Sequence, residues 1–445
     1  MFHRKSLVAA AVAASLLVTV AGCSAGGSQP DSKSLTYWSM WKKGEPQQEI
    51  LQKGITAFTK KTGIKVNVQW SGRDVLQQVS ARLSAGNPPD LFDQDGSSIL
   101  SNVGNKNGLL GLDDLYKKKI DGENSTLGDV IPKSISSQYQ TKDGQAAILP
   151  YEITGSTLWY NGLAEAKVDP TSISTWDGFT ADLDKRKAAG DTAISLDGDV
   201  PSYEAYWAGW SVLRHGGAGS LLDAAEDKTG ETFKKSEYVK AFSDVLQITD
   251  GGYLPKDYSG TKFPAQQTAW AEAGKNAGYL LLGTWVPSET GSALTAAGKD
   301  VDSTIEYESV PYPTVTNGKG NKVVEASAIG FGISKRARHA DAAEKFLQFM
   351  YNKDRLSAFS TKAKNLTPRA DIEAPAELAG YAEEYRQSGA QYVLYMDGTS
   401  LKLPTWETNV WEPSVSDLFN GKYKTGKAVA DALAKATADY HRNAG

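Results

Sequence analysis

Residues 145–161, QAAILPYEITGSTLWYN, constrain the architecture of this 445-residue chain more than any other stretch. Residues 146–149 form an apolar run that stops at Pro150, which can finish a strand but has no N–H with which to extend a ladder. Residues 156–160 read as extended again, with Leu158, Trp159 and Tyr160 in the aromatic-rich pattern that strands favour. Between them stand Tyr151, Glu152, Thr154 and Gly155, polar or permissive groups that a continuous buried strand would not choose. Two architectures satisfy this pattern: a passage of the chain from one lobe to another, or a β-hairpin with a glycine turn inside one domain. Length bears on the choice, because 445 residues exceed what one hydrophobic core serves and imply two or three domains.

The flanking sequence has a regular grammar. Residues 35–38 read as a strand and 39–44 as a loop into a helix on which Leu51, Ile55 and Phe58 share a face, with Gly63 placed to end it. Ile64, Val66 and Val68 then alternate with Lys65, Asn67 and Gln69 at strand period, and Asp74 is placed to cap a second helix carrying Val75, Val79 and Leu83. A turn over 85–90 enters a short apolar strand at Leu91 and Phe92. Strand, helix, strand, helix, strand is the order of an open α/β sheet. Ligands of such sheets bind beyond the strand ends, here near residues 38–42, 69–73 and 93–96. Past the central stretch, Thr175 caps a helix that runs to about Ala189 and ends at Gly190. PSYEAYWAGW (201–210) gathers Tyr203, Tyr206, Trp207 and Trp210 ahead of Gly216 and Gly217. GYLLLGTW (278–285) reads as a buried strand ending in a loop at Trp285, with Glu289 close behind.

These segments, together with GNPPDLF (86–92), GLLGLDDLY (108–116), VPYP (310–313), EASAIGFGI (325–333), AAEKFLQFMY (342–351) and LTPR (366–369), resemble in order and spacing the extracellular solute-binding proteins of ABC sugar importers, family 1, of the maltodextrin-binding type. The resemblance runs from Leu35 to the C-terminus and departs where Trp270 replaces a usual phenylalanine. It implies an α/β, two-lobed periplasmic-binding-protein fold (type II) with a ligand cleft between the lobes. The implied N-terminal lobe is 35–150 with 311–351 and the C-terminal lobe 151–310 with 352–445, with crossovers near 151–155, near 310–313 and after about Tyr351. It also implies a carbohydrate ligand. Pyranose rings present apolar C–H faces and a rim of hydroxyls, so a site needs flat aromatics and groups that hold hydroxyls in pairs. The expected platforms are Trp41, Trp207, Trp285 and Trp411, with Trp210 left in the core. Gln94, Asp95, Glu152, Glu289, Glu325 and Arg369 are expected at the rim, and Lys42, Arg73, Tyr151, Tyr312 and Trp406 beside them. Several platforms point to an oligosaccharide. No cofactor is expected; the expected partners are the oligosaccharide and the transmembrane subunits of an importer, with the protein itself a monomer.

Residues 1–22 read as a lipoprotein signal peptide, with Arg4 and Lys5 before an apolar run over 7–20 that is short for a membrane span. The run ends in VAGC, which resembles a lipobox and would leave Cys23 as a lipidated N-terminus, followed by a polar tether over 23–34. The competing reading is a plain secretory leader with an incidental cysteine. Cys23 is the single cysteine, so no disulfide can form within the chain. The expected address is outside the cytoplasmic membrane, held to it by lipid.

Composition excludes several classes. The formal charge of −4 and the lack of a basic stripe argue against a nucleic-acid partner. The four histidines, at positions 3, 215, 339 and 441, stand too far apart for metal spacing. The glycines at 216, 217 and 219 lack the lysine and hydroxyl residue of a phosphate loop. By contrast, 11 Trp and 20 Tyr exceed what a core requires and suit a ligand-facing surface. Two rival functions stay open at this level. A secreted glycoside hydrolase would need two acids about 5 to 10 Å apart. A binding protein for a charged solute would need clustered bases, of which Lys42, Arg73 and Arg369 are the candidates.

Overall fold

The computed structural model describes residues 33–274 and 278–444. The leader and Cys23 lie outside the described residues. Two sheets organise the chain, and each belongs to one lobe. The N-terminal lobe holds a five-stranded sheet of order β2-β1-β3-β9-β4, built from β1 (Ser34–Ser39), β2 (Lys65–Trp70), β3 (Leu91–Asp95), β4 (Leu149–Thr154) and β9 (Ser327–Ile333). The C-terminal lobe holds a three-stranded sheet of order β6-β5-β7, built from β5 (Ser156–Asn161), β6 (Leu280–Gly283) and β7 (Tyr307–Val310). A two-stranded ribbon pairs β8 (Val323–Glu325) with β10 (Gln391–Val393).

Strands β1, β2 and β3 run parallel because helices carry the chain back between them. The helix Pro46–Thr62 opens on Pro46, whose missing N–H costs nothing in a first turn. It ends on Gly63 in the left-handed conformation at φ 74°, donating its N–H to Thr59 O at 2.9 Å. The helix Trp176–Ala189 has the expected Thr175 cap, with Gly178 N–H donating to its Oγ1 at 3.2 Å, and Gly190 closes it at φ 86°. Asp74 occupies the position before the helix Val75–Ser84, yet its carboxylate makes no capping hydrogen bond.

Each lobe has its own aromatic core. In the first, Tyr37, Tyr151, Phe331 and Phe346 pack under the sheet, and Phe58 meets Phe346 edge-on at 5.3 Å. In the second, Trp159, Trp176, Phe179, Trp207, Trp210, Tyr279 and Tyr312 do the same. Each such side chain contributes about 1.5 to 3 kcal/mol by leaving water.

The passage between lobes at residues 145–161 is the crossover of the two readings, and it is shorter than the sequence implies. Strand β4 does not stop at Pro150 but runs to Thr154, and β5 begins at Ser156, so Gly155 alone joins the lobes. Pro150 pairs with Gly330 of β9, the register slips by one residue at Tyr151, and β4 lies at the edge of its sheet, where a residue without an N–H is tolerated. The second passage lies at Ala326, between β8 and β9, and not near 310–313. Residues 311–322 stay with the C-terminal lobe, where Thr314 exchanges backbone hydrogen bonds with Ser174 and Trp176 and Arg214 grips Tyr312 O, Gly320 O and Val323 O. The third passage comes later than Tyr351. Leu366 bridges to Ile153, Arg369 is bonded to Glu123, and Ser360 donates to Glu373 O, all within the N-terminal lobe. The chain then crosses between Glu373 and the helix Ala379–Arg386, which packs on β7.

Candidate functional site

The C-terminal ends of β1, β2 and β3 form one wall of a cleft, and its geometry is set from below by Asp93. This buried carboxylate accepts from Tyr37 Oη at 2.9 Å, Ser39 Oγ at 3.2 Å, Met40 N–H at 2.8 Å and Tyr151 Oη at 2.8 Å. Burial pushes Asp93 up to about 6, against the pull of those four donors. The Met40 bond turns the chain after β1 so that Trp41 Nε1 donates to Tyr151 Oη at 2.7 Å. The guanidinium of Arg73 then lies over the Trp41 ring at 4.7 Å, donates to Met40 O at 2.8 Å and to Glu45 Oε1 at 2.8 Å, and remains half exposed. Gln94 Nε2 donates to Arg73 O at 3.0 Å, which ties the ends of β2 and β3 together. Asp95 caps the helix Gly96–Asn102 by accepting from Ser98 N–H at 2.8 Å, and burial raises its carboxyl.

The opposite wall comes from the loop after β6 and the helix Val286–Ala296. Trp285 sits at the start of that helix, half-buried. Its ring lies against Gly283, where a Cβ would stand 2.1 Å from the ring, so only glycine permits this placement. Tyr203, on the helix Pro201–Gly216, stands beside Trp285 and meets Phe263 edge-on at 6.0 Å. Phe263 is 43% exposed. Glu289 lies one turn beyond Trp285 and accepts from Gln267 Nε2 at 3.0 Å. Its side chain is open to water, yet the cleft walls crowd it enough that desolvation raises it. Arg73 on the other lobe lowers it and Glu45 raises it, so the two walls face each other here.

The cleft therefore brings together Arg73, Trp285 and Glu289 from the expected set, with Gln94, Asp95, Tyr151 and the expected platform Trp41 under the first wall, Trp41 being buried with Arg73 over its ring, and Lys42 exposed against Gly72 at the rim. Glu152 lies beneath the surface: it is fully buried, neither carboxylate oxygen has a hydrogen-bond partner, and burial pushes it up to about 8.

Six other expected residues belong elsewhere. Trp207 is fully buried, 6.2 Å from Phe179 and edge-on to Tyr312, inside the second core. Tyr312 is stacked 6.0 Å from Trp210 in the same core. Trp406 and Trp411 stack on each other at 5.9 Å and on Phe233 under the C-terminal helix. Arg369 is buried in an ion-pair cluster with Glu123 and Asp371 and donates to Tyr351 O at 2.7 Å. Glu325 turns away from the cleft wall: Ser156 Oγ donates to its Oε2 at 2.7 Å. In each case neighbours from the residue's own surroundings already occupy the face a ligand would use.

The structure adds Glu45, Asp93, Tyr203, Phe263 and Gln267. Phe263 had a signal, a lone large apolar residue in the polar run KDYSGTKFPAQQ. Asp93 lay in the strand end at 93–96 where a ligand was expected, while Glu45 and Gln267 carried no signal, since their roles depend on partners far along the chain. Among the described residues no group of His, Cys, Asp and Glu is placed to hold a metal ion. The arrangement offers flat apolar faces bordered by hydrogen-bond acceptors and one guanidinium, which suits ring stacking and hydroxyl binding.

Comparison with known proteins bears on the family and the fold. A diacetylchitobiose binding protein, NgcE, of Streptomyces coelicolor is 22% identical over 375 residues, covering 81% of this chain and 76% of its own. A probable sugar-binding periplasmic protein of Mesorhizobium japonicum is 23% identical, covering 83% and 84%. The solved structure of a chitin oligosaccharide binding protein superposes with a TM-score of 0.71 at 21% identity, over 92% of this chain and 99% of that one, and shares the two-lobed type II fold. Residues 43–355 match the family of bacterial extracellular solute-binding proteins, and the chain belongs to that family.

Proposed function

We propose that this protein binds an oligosaccharide between its lobes and delivers it to an ABC importer, while anchored outside the cytoplasmic membrane by lipid on Cys23. The observation that carries the ligand class is the pairing of walls: Trp285, Tyr203 and the exposed Phe263 on one side, Trp41 under Arg73 on the other, with Glu289 and Glu45 between. Aromatic faces take the C–H faces of pyranoses, and carboxylates accept their hydroxyls. Diacetylchitobiose and chitin oligosaccharide, for which two of the similar proteins are named, support the same class. A charged-solute reading has less support, because Arg369 is committed to Glu123 and Asp371 and Arg73 to Glu45.

Thermal unfolding with diacetylchitobiose, longer chitin oligosaccharides, maltodextrins and an anionic panel tests the reading. A true ligand at 100 times its Kd stabilises by about 2.7 kcal/mol. Stabilisation by anionic solutes alone would replace the sugar with a charged ligand. New reducing ends after incubation would make the protein an enzyme.

A further inference from the structure

The crossovers are not the whole connection between the lobes. Among the described residues, the most extensive contact between elements of different lobes is that of the short helix Thr399–Lys402 with the helix Gly96–Asn102. The second of these leaves the end of β3 and belongs to the first cleft wall. The first belongs to the C-terminal lobe, because the turn before it packs on the helix Ser220–Glu226 and Tyr395 meets Tyr206 edge-on at 5.2 Å. The same segment reaches the N-terminal lobe a second time. Tyr395 N–H donates to Ser327 Oγ at 3.1 Å, and Ser327 is paired with Thr154 in the first sheet. Residues 395–402 therefore form a strap that starts beside the second crossover and ends on the cleft wall of the other lobe.

The strap is held in a backbone that it would not adopt alone. Met396, Asp397 and Gly398 stand at φ 45°, 59° and 75°, three successive residues in the left-handed region, of which only the last is a glycine. Contacts with the C-terminal lobe offset that strain. Asp397 accepts from the N–H groups of Gly219, Leu221 and Leu222 at 2.9, 3.0 and 3.2 Å, and so caps the helix Ser220–Glu226 from far along the chain. Met396 fills the space over Gly209, where a Cβ would stand 2.8 Å from its sulfur. Thr399 Oγ1 donates to the Glu407 carboxylate and lies 3.0 Å from Met396 O. Burial pushes Glu407 up to about 7, and the charges of Glu412 and, from the other lobe, Asp95 add to the rise.

We propose that residues 395–402 are a latch that sets how far the lobes part. The contact lies on the cleft side of the hinge, since the helix Gly96–Asn102 leaves from the same strand ends as the loops that carry Trp41 and Arg73. Rotation about Gly155 and Ala326 that opens the cleft must therefore lift Thr399–Lys402 off that helix. The strap cannot follow the departing lobe, because Asp397 fixes it to the helix Ser220–Glu226. The contact is kept or lost as a unit, and its free energy favours the form in which the walls stay close. Loosening the strap shifts the population toward the open form, whatever the cleft binds.

The test needs no ligand, so its outcome is independent of the sugar reading. Spin labels are placed across the cleft mouth at Lys43→Cys on the first wall and Lys262→Cys beside Phe263 on the second, both exposed positions, with Cys23→Ser removing the native thiol. Distances are measured by pulsed electron resonance in two variants of this protein. Ser400→Gly with Leu401→Gly weakens the short helix and leaves Asp397, Thr399 and Glu407 in place. Asp397→Gly keeps a residue at ease at φ 59° and removes only the three bonds of the carboxylate. The expected result is a longer mean distance and a broader distribution in both variants, with cooperative urea unfolding retained. If Asp397→Gly loses its cooperative transition, the double-glycine variant decides. Parental distances in that variant would mean that the contact carries no weight, and shorter ones would place it behind the hinge; either overturns the proposal.

Discussion

Glu152→Gln isolates the cost of a buried carboxyl next to the first crossover. Glu152 is fully buried on β4, and the nearby Asn365 and Gln47 amides and Arg73 only partly offset its desolvation, to which the Asp93 charge adds. Its pKa rises from the ordinary 4.5 to about 8. Between those values the native state keeps a proton that the unfolded chain has lost, so stability falls as pH rises through that window. At about 1.4 kcal/mol per pH unit, the native state at pH 8.5 forgoes on the order of 5 kcal/mol that it keeps below pH 4.5, of which on the order of 4 kcal/mol falls above pH 5. Glutamine has the same shape and no proton to lose. Urea unfolding of both proteins at pH 5.0 and 8.5 should therefore show similar stability at the lower pH and a variant more stable by on the order of 4 kcal/mol at the higher. Parallel pH dependence in the two proteins would mean that Glu152 is hydrated or paired in solution and would refute the argument.

Four further outcomes follow from named contacts. Trp285→Ala should abolish sugar binding with little loss of stability, because the ring is half exposed, whereas Trp207→Ala should cost about 3 to 5 kcal/mol in unfolding experiments. Gly155→Ala places a methyl 2.3 Å from both Glu325 O and Tyr381 Oη; a loss of about 1 to 3 kcal/mol is expected, and an unchanged urea midpoint would show that the crossovers are not in contact. Cys23→Ser should release the protein from the membrane fraction with its fold intact, checked by fractionation and circular dichroism. Small-angle scattering should show a smaller radius of gyration with saturating sugar, since contacts from both walls form together only when the lobes close.

Helix ends and strand periods were legible in the sequence because they depend on residues a few positions apart. Gly63, Thr175 and Gly190 act where their neighbours place them, since a left-handed backbone or a capping hydroxyl is a local requirement. The same holds for Ile64, Val66 and Val68, whose alternation with polar residues is visible without the rest of the molecule. The order of such segments also carried the two-lobed α/β fold.

What residue type alone left undecided was which tryptophan faces water. Trp207, Trp285 and Trp411 are chemically identical; Phe179 and Tyr312 cover the first, Phe233 and Trp406 cover the third, and the second packs on Gly283 and stays partly exposed. The crossover positions were equally non-local. Whether β4 ends at Pro150 or Thr154 depends on its pairing with β9, more than 170 residues later, and the bulge at Tyr151 exists only in that pairing. Arg369 and Glu325 were read as ligand groups from the resemblance and from their capacity to hold hydroxyls, but Glu123, Asp371 and Ser156 are brought to them by the folded chain. Burial of a charge is decided by its partners, and only tertiary structure assembles those partners.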